Sequence, residues 1–239
     1  MGSRVNIKSA LRYFYFFSIL FLIFSCDTEK SDPDKSGWGI DFFPLEGNSY
    51  KIYNVTHINY SIQGDVDTVK YLLKEVVADS FLNLNNEYTY LLNRYKKAEP
   101  DSDWMIDSIW TANKSEQTVV VTENNIPYVK LVFPIKEGKT WDGNKMNTFE
   151  SENYTMQKVG KEALFAGVQY PATLTVIQMD NPDTILIRDK RMEVFGKNIG
   201  LIYSEKIQIN YCTELDCIGE GIIDSGSKYR QELIAHGKE

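Results

Sequence analysis

Histidine is scarce in this sequence, and so are the motifs that usually identify catalytic or metal sites. Only His57 and His236 occur among the 239 residues. The chain has no Ser-His-Asp order, glycine-rich phosphate loop or His-Glu-x-x-His motif. A histidine-rich metal site is therefore excluded, no metal or cofactor is predicted, and His57 is interpreted as a half-buried strand residue.

The sequence also lacks an apolar run long enough to cross a bilayer as a helix. The run from Tyr13 to Phe24 has 12 residues, whereas a helical span needs about 20. It follows Arg4, Lys8 and Arg12, and no acidic residue occurs among residues 1–25. This arrangement is typical of a cleavable secretory signal peptide.

The residues after that run indicate lipidation. Ile23-Phe24-Ser25 directly precede Cys26 and resemble the lipobox of bacterial lipoproteins, whose cysteine receives diacylglycerol and, after cleavage, a further acyl chain such as palmitate. We predict cleavage after Ser25 and anchoring through Cys26, since several acyl chains give stable membrane attachment. The alternatives are an ordinary signal peptide with an accidental cysteine, or a short buried helix. The expected location is the cell envelope, at the outer membrane, with the periplasmic or surface face left open.

Basic residues are outnumbered by acidic ones. The chain has 26 Lys and Arg against 33 Asp and Glu, and without residues 1–25 it keeps 23 basic and 33 acidic residues, a net charge of −10. Because an acidic domain repels phosphate groups, no nucleic-acid partner is predicted. The expected partners are the membrane, through the covalent lipid, and an envelope protein or a glycan.

Two segments follow Cys26. Residues 27–39 read DTEKSDPDKSGWG, with little to bury apart from Trp38, so 26–39 is predicted to be a lipidated, flexible acidic tether that reaches about 20 Å. Its acids also resemble the surface-export signals of Bacteroidota lipoproteins. Residues 40–239 contain no further linker and are predicted to form a single β domain.

Alternating residues predict the fold class. Leu201 to Tyr211 alternates mostly apolar with mostly polar side chains, which is typical of a long half-buried strand. We predict a mainly β protein: an antiparallel, strongly curved sheet or an open barrel or sandwich, with few or no long helices after the signal peptide. Further β-rich runs are Tyr50 to Ile62, Glu87 to Tyr95, Met105 to Thr111, Thr118 to Thr122, Tyr128 to Phe133, Ala172 to Val176 and Ile185 to Phe195. Turns are predicted at Asn124-Asn125, Asn144, Asn181-Pro182 and Ser225-Gly226.

The segment 66–81 has two interpretations. Five of its apolar residues follow the helical spacing i, i+3, i+4, i+7 and i+8: Val69, Leu72, Leu73, Val76 and Val77. The segment is also rich in β-branched residues and follows a Gly64-Asp65 turn signal, which favours a strand. We choose the strand.

Two related phrases predict a recurring corner at a sheet edge. Phe42 to Tyr50 and Val132 to Trp141 both read aromatic-proline-aliphatic, then a glycine turn and an aromatic. Together with KEVVADSF, RYKKAEPDSDWMIDSIWTANK and FGKNIGLIYSEKIQI they resemble a family of uncharacterised lipoproteins of Bacteroidota. That family shares an "FPL-x-x-G-x-x-W-x-Y" start and a "G-x-G-L-I-Y-x-E" strand. The resemblance covers nearly the whole mature chain; it implies a β fold and an envelope location, and it implies no activity.

The last two cysteines are predicted to form a disulfide. Cys212 and Cys217 enclose four residues directly after the strand that ends at Tyr211. Zinc would need further ligands, and a thiol redox centre usually has two residues between its cysteines. In an exported protein a structural disulfide is the preferred interpretation.

Three tryptophans are candidate ligand-stacking residues. Trp104, Trp110 and Trp141, with nearby tyrosines, could form an aromatic platform for sugars or peptides, although aromatics on strands are usually core residues or cross-strand pairs. Separately, Thr68, Ser108 and Thr184 each stand between Asp and an aliphatic residue. These triplets resemble the acceptor for O-glycosylation of exported Bacteroidota proteins.

No catalytic residue is predicted. Loop acids such as Asp101, Asp103 and Glu220 do not define a glycosidase pair by spacing. We expect a lipid-anchored envelope lipoprotein with a non-enzymatic binding or structural role. The alternatives are a carbohydrate- or peptide-processing enzyme, which needs a cleft lined by convergent acids, and a carrier with an apolar cavity.

Overall fold

The computed structural model describes residues 37–84, 86–99, 101–183 and 185–239. The predicted signal peptide, Cys26 and residues 27–36 of the tether lie outside these ranges. The described chain forms twelve antiparallel strands and one short 3-10 turn, Ile40–Phe42. The strands are β1 (Ser49–Tyr60), β2 (Val66–Leu82), β3 (Tyr88–Lys97), β4 (Met105–Lys114), β5 (Thr118–Glu123), β6 (Ile126–Val132), β7 (Thr140–Asp142), β8 (Asn153–Phe165), β9 (Val168–Asn181), β10 (Ile187–Gly196), β11 (Gly200–Tyr211) and β12 (Ile223–Lys238). In these ranges no helix has the length and apolarity to cross a membrane.

All twelve strands belong to one sheet built from two meanders. β1 to β6 run from the centre to one edge; the chain then crosses to the opposite edge, where β7 begins a return path that ends with β12 beside β1. The two edges approach each other, and the Val129 N–H donates to the Gly143 carbonyl at 2.9 Å. Register shifts, such as the one at Ile52 and Tyr53, bend and twist their strands. The prediction of a mainly β, antiparallel, strongly curved sheet is confirmed.

The ambiguous segment is strand β2, as chosen. It pairs with β1 from Val66 to Val76 and with β3 from Leu72 onward. Leu73 and Val77 are buried, and residues four apart share a face in a strand as well as in a helix. In the strand Val69, Leu73 and Val77 share one face, whereas Leu72 and Val76 lie on the other. Pairing with strands on both sides decided for the strand.

Two groups of buried apolar side chains form the hydrophobic core of the domain. The larger core joins β2 to β6 with β8, β9 and β10, and the smaller core lies around Tyr53 and Val55 of β1. Together they bury aromatic, β-branched and leucine side chains, and removing that apolar surface from water is the main driving force for folding. Buried members of the larger core are Phe42, Val77, Leu92, Ala112, Val119, Val121, Leu131, Phe133, Tyr154, Met156, Leu174, Val176 and Phe195.

The two aromatic-proline phrases meet at one end of the sheet. The Ile135 N–H donates to the Trp38 carbonyl at 2.9 Å, so the start of the domain packs against the connection between β6 and β7. At each phrase a lysine ammonium donates hydrogen bonds to backbone carbonyls. Lys114 of β4 does so at the first phrase, and Lys139 does so at the second. In the first phrase the left-handed turn residue is Asn48, at φ 61°, instead of the predicted glycine.

β8 and β12 were not predicted, and the turn predicted at Ser225-Gly226 is wrong. Both residues lie inside β12, where Gly226 pairs with Tyr60 and with Ile209. Glycine is required there because a Cβ would lie 2.1 Å from the Gln208 carbonyl oxygen. The β12 side chains Ser227, Tyr229 and Gln231 line a cavity, so this strand lacks the apolar alternation of a core strand.

Candidate ligand-binding cavity

The concave side of the sheet encloses a polar cavity of about 380 Å³. Its wall comes from β1 to β6 and β10 to β12, and its base from Phe43, Pro44 and Leu201. Asn124 and Gln208 line it and are exposed, so the cavity opens to solvent near the turn between β5 and β6. Charged and hydrogen-bonding side chains dominate the wall: Lys51, His57, Tyr71, Glu75, Arg94, Lys96, Asp107, Ser108, Glu123, Lys130, Glu193, Ser204, Lys206, Ser227, Tyr229 and Gln231.

One row of charged residues crosses three neighbouring strands. Lys51 pairs in register with Glu75, and Glu75 pairs with Arg94. The Lys51 ammonium lies 3.2 Å from one oxygen of Glu75, and Nε of Arg94 lies 3.7 Å from the other. The Arg94 guanidinium also lies 3.5 Å from the centroid of the Trp110 ring. One carboxylate is therefore shared between two buried cations.

A second cluster, formed by Glu123, Lys130 and Glu193, spans the cavity. The Lys130 ammonium, on β6, donates to Glu123 of β5 at 2.9 Å and to Glu193 of β10 at 2.5 Å. β6 and β10 are not neighbours in the sheet, so this lysine links the two meanders across their concave side. Lys130 and Glu193 are only 6% and 4% exposed.

The environment of these groups keeps them charged. Burial alone would lower the pKa of Lys130, but the charges of Glu123 and Glu193, and hydrogen bonds to both, raise it above its ordinary value. Burial would likewise raise the pKa of Glu123, whereas Lys130 and Lys206 bring it below its ordinary value. At neutral pH Lys130 is therefore an ammonium and Glu123 a carboxylate.

The remaining wall residues form hydrogen-bonding rows. Glu193 pairs in register with Ser204, which pairs with Gln231, and the Tyr229 hydroxyl donates to Oε1 of Gln231 at 2.6 Å. Burial, together with the nearby Tyr71, raises the pKa of Tyr229. The tyrosine hydroxyl therefore stays protonated and keeps its hydrogen bond to Gln231.

Near the opening, Lys96 lies 2.7 Å from Asp107. Burial would raise the pKa of Asp107, but hydrogen bonds from Lys96 and Ser108 lower it overall.

Two buried polar atoms of the wall have no hydrogen-bond partner among the described residues: Nε of Arg94 and Oε2 of Glu193. Buried polar groups are normally paired, so one free donor and one free acceptor beside the same cavity are notable. An occupant of the cavity could satisfy both. No three His, Cys, Asp or Glu side chains in the described ranges come together as around a metal ion.

The structure places the three predicted tryptophans in different surroundings, all half-buried. Trp110 lines the cavity beneath Arg94. Trp141 donates its indole N–H to the Val129 carbonyl at 2.7 Å. Trp104 precedes β4, with the Lys97 ammonium 5.6 Å from its ring. A shared stacking platform formed by these rings stays a prediction.

The other predicted sites have mixed outcomes. The Cys212–Cys217 disulfide is confirmed, with Cα atoms 5.9 Å apart. Ser25, Cys26 and Thr184 lie outside the described residues. Of the remaining glycosylation candidates, Thr68 is exposed on β2, whereas Ser108 is half-buried and donates to Asp107 at 3.0 Å. Glycosylation stays a prediction.

Sequence reasoning missed the charged cavity residues. The available signal was charge inside apolar strand segments: Glu75 in LLKEVV, Arg94 in LLNRY, Lys130 in YVKLV and Glu193 in MEVF. Charged residues at such positions are rarely fully buried unless they are paired. Their pairing could not be read from the sequence, because Lys130 and Glu193 are 63 residues apart.

Comparison with known proteins gives few matches. No protein-family model matches this chain, and no curated protein sequence matches it significantly. One similar solved structure, from Bacteroides fragilis NCTC 9343, is of a protein inferred to be exported and described as having a YmcC-like fold. It is 13% identical, has a TM-score of 0.43, and covers 82% of this chain and 99% of its own.

A second solved structure, of an inferred lipoprotein from Parabacteroides distasonis ATCC 8503, is 10% identical with a TM-score of 0.40. It covers 82% of this chain and 98% of its own. Both are exported or lipoprotein-like proteins of Bacteroidales, in line with the coarser part of the predicted resemblance, whereas the family's motifs stay a prediction. Likenesses this weak assign no function to this chain.

Proposed function

We propose that this protein is a lipid-anchored lipoprotein of the bacterial cell envelope that binds a small polar molecule in the cavity and does not transform it. The anchor is proposed from the leader and Cys26 in the sequence. The binding role is proposed from one observation: buried charged side chains surround an open space of about 380 Å³. That volume is within the usual range for small-molecule sites.

Stability alone does not account for this arrangement. Burying a charge carries a desolvation penalty that an ion pair often fails to recover, and apolar replacements of similar volume are commonly as stable or more so. The sheet nevertheless places Arg94, Lys130 and Glu193 at less than a tenth exposure around a space that is not filled by side chains. A ligand-binding role explains both the charges and the space.

The alternative functions fit this cavity less well. An apolar carrier would need a wall of aliphatic side chains, whereas nine of the residues that line this cavity are charged. A hydrolase of the paired-carboxylate type would need one carboxylic acid and one carboxylate facing its substrate. Here Glu123 and Glu193 converge on the same Lys130 ammonium, which lowers the pKa of Glu123, so Glu123 does not supply the carboxylic acid of such a pair.

The anchor is tested by cell fractionation of a Cys26→Ser variant. We expect the variant to move from the membrane fraction to the soluble fraction with its domain intact, because the described contacts of the domain begin at Trp38, 12 residues after Cys26. The matched control is Cys212→Ser/Cys217→Ser, which removes the other two cysteines and should stay in the membrane. Retention of Cys26→Ser in washed membranes would contradict the proposed anchor.

The binding role is tested by identifying molecules that copurify with the protein from its own bacterium. We expect denaturation of the purified protein to release a small polar compound, which mass spectrometry then identifies. Ser204→Phe, which fills the cavity from a 3% exposed position, should lose it, while Thr68→Phe on the exposed part of β2 should keep it. A wild-type protein that releases nothing, or a Ser204→Phe variant that keeps the compound, would contradict the proposal.

A further inference from the structure

A buried charged group with an unpartnered donor lines the cavity: the guanidinium of Arg94. Its side chain is 8% exposed, and its Nε donates no hydrogen bond to a described residue. The nearest carboxylate oxygen, Oε2 of Glu75, lies 3.7 Å away, beyond the usual N–H···O distance of about 2.7–3.2 Å. A guanidinium has five N–H donors and no acceptor, so Arg94 has unused donors beside an open space.

Trp110 fixes the orientation of this guanidinium. The ring centroid lies 3.5 Å from the guanidinium carbon, which is stacking distance, and the Trp110 indole N–H lies 3.4 Å from Oδ1 of Asn124. Stacking occupies a face of the planar group and leaves its N–H edges for hydrogen bonds. Arg94 is therefore oriented for an acceptor before any ligand arrives, which reduces the ordering cost of binding.

The local charge balance also favours an anion. Five basic residues and four acidic residues line the cavity: Lys51, Arg94, Lys96, Lys130 and Lys206 against Glu75, Asp107, Glu123 and Glu193. Next to Arg94 two positive charges face one negative charge, because Lys51 and Arg94 share the carboxylate of Glu75. This positive excess occurs inside a chain with a net charge of −7.

We propose that the cavity recognises a small organic anion whose carboxylate or phosphate oxygens accept hydrogen bonds from Arg94. This inference rests on the proposed binding function and specifies its ligand class. A guanidinium presents parallel N–H groups that match two oxygens of a carboxylate or phosphate. Oε2 of Glu193, the free acceptor of the wall, selects a ligand that also carries a hydroxyl or amino group.

The test uses side-chain NMR of the purified protein with minimal probes. Acetate and inorganic phosphate present the two oxyanions, and acetamide is a neutral molecule of nearly the same shape as acetate. We expect the Arg94 Nε–H signal, assigned by its loss in Arg94→Lys, to shift saturably with acetate or phosphate and not with acetamide. The tighter of the two oxyanions identifies the ligand's anionic group.

Variants separate anion recognition from general charge effects, with the Trp110 indole N–H signal as the readout in every protein. Arg94→Lys keeps the charge but not the paired donors, so affinity for the oxyanion should fall about tenfold. Lys74→Met removes one positive charge that pairs with Glu239 away from the cavity, and it should leave affinity unchanged. This comparison does not depend on a variant that lacks the buried charge, which could fail to fold.

Three results would overturn the inference, two of them from the NMR experiment. One is an Arg94 signal that does not respond to either oxyanion or responds equally to acetamide. The other is an Arg94→Lys variant with wild-type affinity. A copurified compound that carries neither carboxylate nor phosphate would also overturn it while leaving the binding function intact, whereas a protein that releases no compound would contradict the binding function itself.

Discussion

Replacing Lys130 by methionine tests the charged cluster that links the two meanders. Methionine keeps much of the side-chain volume but removes the ammonium between Glu123 and Glu193, which lie 2.9 and 2.5 Å from it. Breaking a buried ion pair from one side costs about 3–5 kcal/mol. For a domain of this size about 1 kcal/mol lowers Tm by about 2–4 °C, so we expect Tm to fall by about 6–20 °C.

The pH dependence of this loss has a definite sign. In the wild type, Lys130 holds the pKa of Glu123 below its ordinary value of 4.5. A carboxyl group with a lowered pKa contributes stability that is present above its unfolded pKa and is lost as pH falls through the folded pKa. Without the ammonium the pKa of Glu123 rises, so Glu123 becomes neutral at a higher pH. The difference between wild type and Lys130→Met should therefore be largest at neutral pH and narrow as pH falls towards 4.5.

Urea unfolding followed by circular dichroism measures these differences. The control is the triple variant Lys130→Met/Glu123→Gln/Glu193→Gln. It removes the two unpaired carboxyl groups together with the lysine and should regain most of the lost stability. A loss below about 1 kcal/mol in Lys130→Met would show that the cluster behaves as a solvated surface pair. A triple variant no more stable than Lys130→Met would attribute the loss to packing instead of charge. Either result would refute the reasoning.

Two further predictions concern local structure. Cys212→Ser/Cys217→Ser should lower the free energy of unfolding by about 2 kcal/mol, since the closed loop is short. Hydrogen exchange should become faster in residues 212–222 while the sheet stays protected, and loss of protection across β11 and β12 would contradict a local role. Gly39→Ala should cost about 1–3 kcal/mol in thermal unfolding, because Gly39 has φ 73° and its Cβ would lie 2.7 Å from Ile135. Gly37→Ala, with no atom within 4 Å of the added Cβ, is its control, and equal effects of the two would contradict the steric argument.

Much of the fold could be predicted because its signals are local. The strands β1, β3 to β6 and β9 to β11 have β-branched or aromatic runs between turn residues. The pairing of Cys212 with Cys217 needed only a short loop, and it is present. Segment 66–81 could also be assigned, since its β-branched content and the preceding turn signal outweighed the helical spacing.

Strands β12 and β11 show which information the sequence does not contain. β12 presents Ser227, Tyr229 and Gln231 to the cavity, so its inward side is polar and lacks the hydrophobic signal of a core strand. In β11, Ser204 and Lys206 also line the cavity, although alternation alone would place a polar series towards bulk solvent. Side-chain alternation shows which residues share a face, and it does not show which face is concave.

The sequence by itself indicated a β protein with a candidate leader, a candidate lipidation cysteine and a short disulfide loop, because alternation, apolar run length and cysteine spacing are properties of neighbouring residues. Only the tertiary structure decided that charged strand residues face a common cavity. Closure of the sheet brings Lys130 to Glu193, and cross-strand register aligns Lys51, Glu75 and Arg94. The physical reason is that register and curvature arise from pairing between distant strands, with bulges that shift side chains from one face to the other.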